Sequence, residues 1–260
     1  MALEFEARSQ VAHLTIARPE VHNALNADVM KELAAALDRV ESDSDLRVAV
    51  LTGAGKSFSA GADLAFMRTI AQAGTDANKT DATIMGGLFH RVAGLAKPTV
   101  ARVGGAAIGG GVGLMAACDI VVASEEAFFQ FSEVRLGLVP AVISPFCVRR
   151  LGASAARRLF LTGERIDARA AERLGLVDRV VAHEQLDAEV ERMVTHLLAG
   201  APRALSEAKK LIDAVSTLPP EDVLSYTADC IARLRAGEEA REGMQAFLDK
   251  RKPSWALRHE

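Results

Sequence analysis

Residues 104–119 read GGAAIGGGVGLMAACD, and the reading of this stretch decides the fold. Six glycines fall between Gly104 and Gly113, and Leu114-Met115-Ala116-Ala117 follows as a good helix start. Upstream, residues 99–103 (TVARV) read as a strand. A strand that passes through a glycine-rich turn into a helix leaves backbone N–H groups free at the helix N-terminus. Such amides stabilise an anion, either a bound phosphate or an oxyanion formed during a reaction. The phosphate-loop pattern is excluded because no Gly-Lys-Ser/Thr follows, and the dinucleotide fingerprint because Gly109-Gly110-Gly111 is contiguous. Close packing of backbone on backbone accounts for the glycines equally well when they are taken alone. A second stretch, Phe58-Ser59-Ala60-Gly61-Ala62-Asp63-Leu64, also runs from strand to helix through small residues. Two such turns can each lend one amide to a single oxyanion.

Four motifs in order carry a resemblance: FSAGADL at 58–64, the glycine stretch, Ser132-Glu133-Val134-Arg135-Leu136-Gly137, and Leu161-Thr162-Gly163-Glu164. Together they resemble the crotonase (enoyl-CoA hydratase/isomerase) superfamily from about Phe5 to Trp255. The resemblance implies an α/β fold, a spiral of β-β-α turns with a C-terminal helical appendage. It divides the chain into a core, residues 1–195, and a helical oligomerisation region, residues 196–260, and implies a homotrimer or homohexamer. It also implies an acyl-CoA thioester substrate whose enolate is held by the N–H groups of Ala62 and Gly110. Coenzyme A is then part of the substrate, and no cofactor or metal is expected.

Glu133 matches the family glutamate that exchanges a proton with the α-carbon. Its apolar neighbours Phe129, Phe131, Val139 and Val142 are expected to raise its pKa by burial. Ser132 is expected to cap the short helical turn that Glu133 begins. At Gly113 the chain departs from the two-glutamate hydratases, which carry their water-activating base there. We expect the missing side chain to leave open space at Gly113. Single-glutamate members include Δ3,Δ2-enoyl-CoA isomerases. A further departure, VPAVISPF in place of a glycine-rich stretch, resembles the bacterial 3-methylglutaconyl-CoA hydratase-like branch. The leading expectation is a hydratase of a branched, possibly glutaconyl-type, 2-enoyl-CoA. The alternatives are the isomerase and a non-catalytic acyl-CoA-binding homologue. Expected substrate contacts are Glu20, Val21, His22, Ala60, Gly61, Asp63, Leu64, Gly109, Pro140 and Val142. Arg135 or Arg149 is the candidate for an acyl carboxylate, and Arg251 or Lys252 for a CoA phosphate.

The remaining signals set bounds. At 260 residues, half of them apolar and a quarter charged, the chain has ordinary globular composition and length for a large core. A net charge of -3 gives no support for nucleic-acid binding. Cys118, Cys147 and Cys230 share no metal-ligand spacing and read as reduced, buried thiols. The N-terminal MALEFEARSQ has no apolar core of a signal peptide, and no apolar run reaches membrane-span length, so a cytoplasmic location away from membranes is expected.

Periodicity predicts strands over 3–7, 11–17, 48–52, 57–60, 119–123, 128–131 and 176–181. It predicts helices over 28–40, 84–95, 145–151, 155–161 and 168–174, and four more from residue 186 onward. Residues 68–81, small and polar, read as a mobile segment. His90 reads as a surface or partly packed histidine rather than a catalytic one.

Overall fold

The computed structural model describes residues 1–256. An antiparallel hairpin, β1 (Leu3–Arg8) and β2 (Val11–Ile16), leads to helix α1 (Ala27–Ser42). Asn26 caps α1 by accepting from the Val29 amide at 3.0 Å, and Val29, Met30, Leu33, Ala36, Leu37 and Val40 form its buried stripe.

The next three units repeat one plan. β3 (Val48–Gly53) and β4 (Ser57–Ser59) precede α2 (Leu64–Gln72) and α3 (Thr75–Gly94). β5 (Thr99–Val103) and β6 (Ala106–Ile108) precede α4 (Gly110–Ala117). β7 (Ile120–Ser124) and β8 (Phe128–Gln130) precede α5 (Ser144–Thr162). In each unit the first strand joins a six-stranded sheet and the second joins a four-stranded one. The chain closes with β9 (Arg165–Asp167), α6 (Ala168–Arg173) and β10 (Arg179–Val181). The resulting orders, β1-β2-β3-β5-β7-β10 and β4-β6-β8-β9, advance one strand per turn of chain, which is a spiral of β-β-α turns. Pairing is parallel from β2 to β10 and from β4 to β8; β9 returns antiparallel to β8.

Both faces of the larger sheet are covered, which explains why β3, β5 and β7 are rich in apolar residues rather than alternating with polar ones. Ala49, Leu51, Ala101, Val103, Val121 and Ala123 point into the main core, which also holds α4. Val48, Val50, Val100 and Val122 face the other way, beneath Leu186, Val190 and Leu198 of α7 (Leu186–Ala199). The expected boundary between residues 195 and 196 therefore falls inside a helix that belongs to the sheet. Beyond it, α8 (Pro202–Val215), α9 (Pro220–Arg235) and α10 (Glu238–Leu248) bury little within the chain. Lys209 of α8 ties them to the core, donating to the Leu95 carbonyl at 2.6 Å and to Asp119 at 2.8 Å.

Several expectations are corrected. Residues 68–81 are helical: α2 runs to Gln72 and α3 starts at Thr75, with Asn78 donating to the carbonyls of Ile70 and Gly74 across the break. The hydroxyls of Thr80 and Thr83 turn back onto carbonyls four residues earlier, so this polar sequence satisfies itself within a helix. The strand expected over 176–181 begins only at Arg179, because Leu176 and Val177 leave α6 into the core before pairing starts. The glycine stretch also holds a strand of its own, β6, between its two glycine clusters. Among the described residues no helix is long and apolar enough to cross a membrane.

Candidate active site

The three parallel strands of the four-stranded sheet each end in a loop or turn, and they end side by side. β4 runs out into Ala60–Gly61–Ala62, β6 into Gly109–Gly110, and β8 into Phe131–Ser132–Glu133. Residues far apart in sequence thus meet at one sheet edge. They line a cavity of about 430 Å³ whose walls include Ala60, Ala62, Leu64, Met67, Gly109, Gly110, Ser132, Glu133 and Arg135.

The amides are placed by backbone pairing. Ala62 forms an isolated parallel bridge with Leu25, in which Leu25 N–H donates to Gly61 O at 2.7 Å and Asp63 N–H donates to Leu25 O at 2.9 Å. Backbone groups alternate in direction along an extended segment, so the Ala62 N–H points away from Leu25. Gly110 is the first residue of α4, where an N–H has no partner within the helix. Neither N–H makes a hydrogen bond among the described residues. They are neighbours: a Cβ built on Gly110 would stand 3.6 Å from Ala62 N.

Glu133 opens a short 3-10 turn, Glu133–Leu136, and lines the same cavity as Ala62 and Gly110. Gly109, at φ 49°, lies against it: a Cβ there would stand 3.1 Å from Glu133 Oε1, so any side chain would press into the carboxylate as well as strain the backbone. Oε2 is buried and has no hydrogen-bond partner. Burial pushes the carboxyl above its ordinary range, and nearby hydrogen bonding offsets this only in part. Of the expected apolar neighbours, Phe129 and Phe131 are buried, whereas Val139 is exposed. Ser132 makes no capping hydrogen bond because its backbone is already helical, φ -84° and ψ -5°. Two amides without partners beside one desolvated carboxylate are groups suited to holding negative charge on a carbonyl oxygen and moving a proton next to it.

Gly113 does not line the cavity, and the open space expected there is filled. A Cβ at Gly113 would lie 2.1 Å from Ile143 Cγ2 and 3.3 Å from Phe89 Cε2. Ile143, from the VPAVISPF stretch, thus occupies the volume into which a side chain would project. The signal was present in the sequence, since a β-branched residue replaces a glycine-rich loop, but its partner was not.

The remaining expected residues divide into groups. Ala60, Leu64 and Gly109 line the cavity, while Gly61 and Asp63 flank Ala62 in the chain without lining it. Glu20, Val21 and His22 lie outside it on the surface, held next to it because Ala60 N–H donates to His22 O at 2.8 Å. Pro140 is buried, and Val142 packs on α3, where a Cβ at Gly86 would touch it; neither lines the cavity. Arg135 lines the cavity, and among the described residues it has no ion pair; Arg149 is paired with Asp213 at 2.6 Å. Arg251 is held by Glu242 at 2.8 Å, which draws the Glu242 carboxyl down to about 2. His90 is exposed and packs edge-on against Phe146. All three cysteines are buried and free, and burial pushes the Cys118 thiol up to about 12.

Fold and site together define a β-β-α spiral protein that brings two backbone amides and one carboxylate to a common cavity. The chain belongs to the enoyl-CoA hydratase/isomerase family, whose model matches residues 6–258, and so to the crotonase superfamily. The short-chain-enoyl-CoA hydratase of Clostridium acetobutylicum is 34% identical over 249 residues, 95% of this chain and 94% of that protein. The mevalonyl-coenzyme A hydratase of Aspergillus fumigatus is 37% identical over 245 residues, 93% of this chain and 90% of that protein. A solved enoyl-CoA hydratase from Shewanella pealeana has a TM-score of 0.95 at 36% identity, covering 98% of this chain and 96% of that one.

Proposed function

We propose that the chain is a hydratase that adds water across the 2,3 double bond of a branched enoyl-CoA thioester. The observation that carries this reading is one cavity lined by Glu133, whose Oε2 is buried and unpartnered, and by Ala62 and Gly110, whose amides are free. The hydratase names of the relatives support the reaction class. The thioester oxygen sits between the two N–H groups. The Glu133 carboxylate takes a proton from water as the water oxygen bonds to the β-carbon. The displaced π electrons move to the thioester oxygen, giving an enolate that the amides stabilise. The Glu133 carboxylic acid then returns a proton to the α-carbon as the enolate collapses, which regenerates the carboxylate. A raised pKa makes the acid form a competent intermediate state of this cycle. One carboxylate serves both transfers, because Ile143 fills the space beside Gly113.

The alternative is a Δ3,Δ2-isomerase, in which Glu133 carries a proton from one carbon to the other and no water enters; the hydratase names of the relatives do not favour it. For the acyl chain, Arg135 on the cavity wall supports a distal carboxylate of the glutaconyl type. From the apolar side chains that α8–α10 leave exposed we infer self-association, and membership of the family implies that it takes the form of a trimer or a dimer of trimers.

Comparing 3-methylglutaconyl-CoA with 3-methylcrotonyl-CoA, which lacks the distal carboxylate, tests the reading. We expect hydration of the first to be faster at saturation by about tenfold or more, and Arg135→Met to remove that preference. Equal turnover of both would exclude the carboxylated substrate, and double-bond migration without hydration would select the isomerase.

A further inference from the structure

We infer that Arg18 is a positioning residue for the Ala62 amide; the inference rests on the proposed use of that amide as an oxyanion donor. Arg18 ends the N-terminal hairpin, far from the motifs that mark the site in sequence, and it does not line the cavity. Its guanidinium nevertheless holds both strands of the pairing that aims Ala62. Nη1 donates to the Ala24 carbonyl at 2.6 Å, one residue before Leu25. Nη2 donates to Asp63 Oδ2 at 3.1 Å, one residue after Ala62. The Leu25–Ala62 bridge lies between these two anchor points.

Asp63 is itself committed at its other oxygen. Oδ1 accepts from the amides of Ala65 at 3.1 Å and Phe66 at 3.2 Å, capping α2. The Phe66 amide and the Arg18 guanidinium hold its carboxyl below the usual carboxylate range. The pair is mostly shielded, with 18% and 17% of the two side chains exposed, so it is less screened than a surface ion pair. Upstream, Asn23 secures the same segment: its Oδ1 accepts from the Arg18 amide at 3.0 Å and its Nδ2 donates to Ala54 O and Ser57 O, each at 2.8 Å. Leu25 reaches the second donor as well, since its Cδ1 would stand 3.5 Å from a Cβ at Gly110.

α2 has no fully buried residue and, of its side chains, Phe66 packs against the core, so packing alone constrains the preceding turn weakly. The planar fork of Arg18, bridging a carbonyl and a carboxylate, supplies that constraint, and a lysine ammonium cannot reproduce both bonds in that geometry. Arg18 thus sets where the Ala62 N–H points, and its effect falls on the transition state, where charge on the thioester oxygen is largest.

The test uses the full-length protein and a dimethylaminocinnamoyl-CoA thioester, whose absorbance moves to the red when its carbonyl is polarised. Steady-state hydration of an enoyl-CoA is measured alongside. Arg18→Met is expected to lower kcat by about tenfold to a hundredfold, to change KM by less than about threefold, and to lose most of the red shift. Arg18→Lys should recover part of both readouts. Asp63→Asn, which keeps the cap but removes the ionic partner, should fall between Arg18→Lys and wild type. A wild-type red shift that Arg18→Met preserves would overturn the positioning role alone, as would a rise in KM at unchanged kcat. Absence of the shift in the wild-type protein would overturn the oxyanion reading and this inference together.

Discussion

Gly113 shows how a single residue can be read correctly in type and wrongly in consequence. Its lack of a side chain marks a departure from two-carboxylate chemistry, and the structure agrees that no carboxylate stands there. The vacated volume is not open to water or substrate, because Ile143 Cγ2 would meet a Gly113 Cβ at 2.1 Å. Replacing one residue of such a packed pair overfills the core, at a cost of about 1–3 kcal/mol. Gly113→Ala is therefore expected to lower folding stability by about that much in denaturant unfolding, and Ile143→Ala added to it should recover part of the loss. Additive effects of the two substitutions would show that the two side chains do not compete for the same space. Glu133 was legible from its motif and its flanking phenylalanines, whereas the contact of its Oε1 with Gly109 was not, since it joins residues on different turns of the spiral.

At the scale of elements, the sequence is most legible where burial is one-sided and least where it is complete or absent. α1 shows its cap and stripe openly, and α7 to α10 are the four helices that periodicity expects from residue 186 onward. β6 stayed hidden because it is three residues long between two glycine clusters and pairs with strands read from other segments. β9 (sequence RID) carries charge at both ends, and only its pairing with β8 makes it a strand. The break at Gly152, φ 70° and ψ 163°, separates the two helices expected over 145–151 and 155–161 within the single span of α5. The first half of α3 lacks an apolar stripe, and threonine and asparagine side chains turned onto the backbone sustain it. The spiral itself carries no sequence period, since its units differ in helix number and length. It becomes visible only when each strand pair is assigned to two sheets.

For the whole molecule, the C-terminal helices present a surface that this chain does not cover. Leu224 is 78% exposed, Phe247 84% and Leu248 73%, while Cys230 and Ala246 are the buried residues of α9 and α10. In the proposed assembly these side chains are covered by a second copy of the chain. Light scattering should find a trimer or hexamer, and Leu224→Glu with Phe247→Glu should shift it toward monomer. A wild-type monomer with full activity would exclude assembly as a requirement. Whatever the assembly, the proposed chemistry rests on three turns of one spiral converging on a single cavity. The most direct measurement of that claim follows the loss of enoyl-thioester absorbance in wild type and Glu133→Gln, with CoA-thioester affinity measured in parallel. The account predicts hydration by the wild type, a fall of about a hundredfold or more in the variant, and affinity within about threefold of wild type. Turnover of Glu133→Gln close to that of the wild type would contradict it.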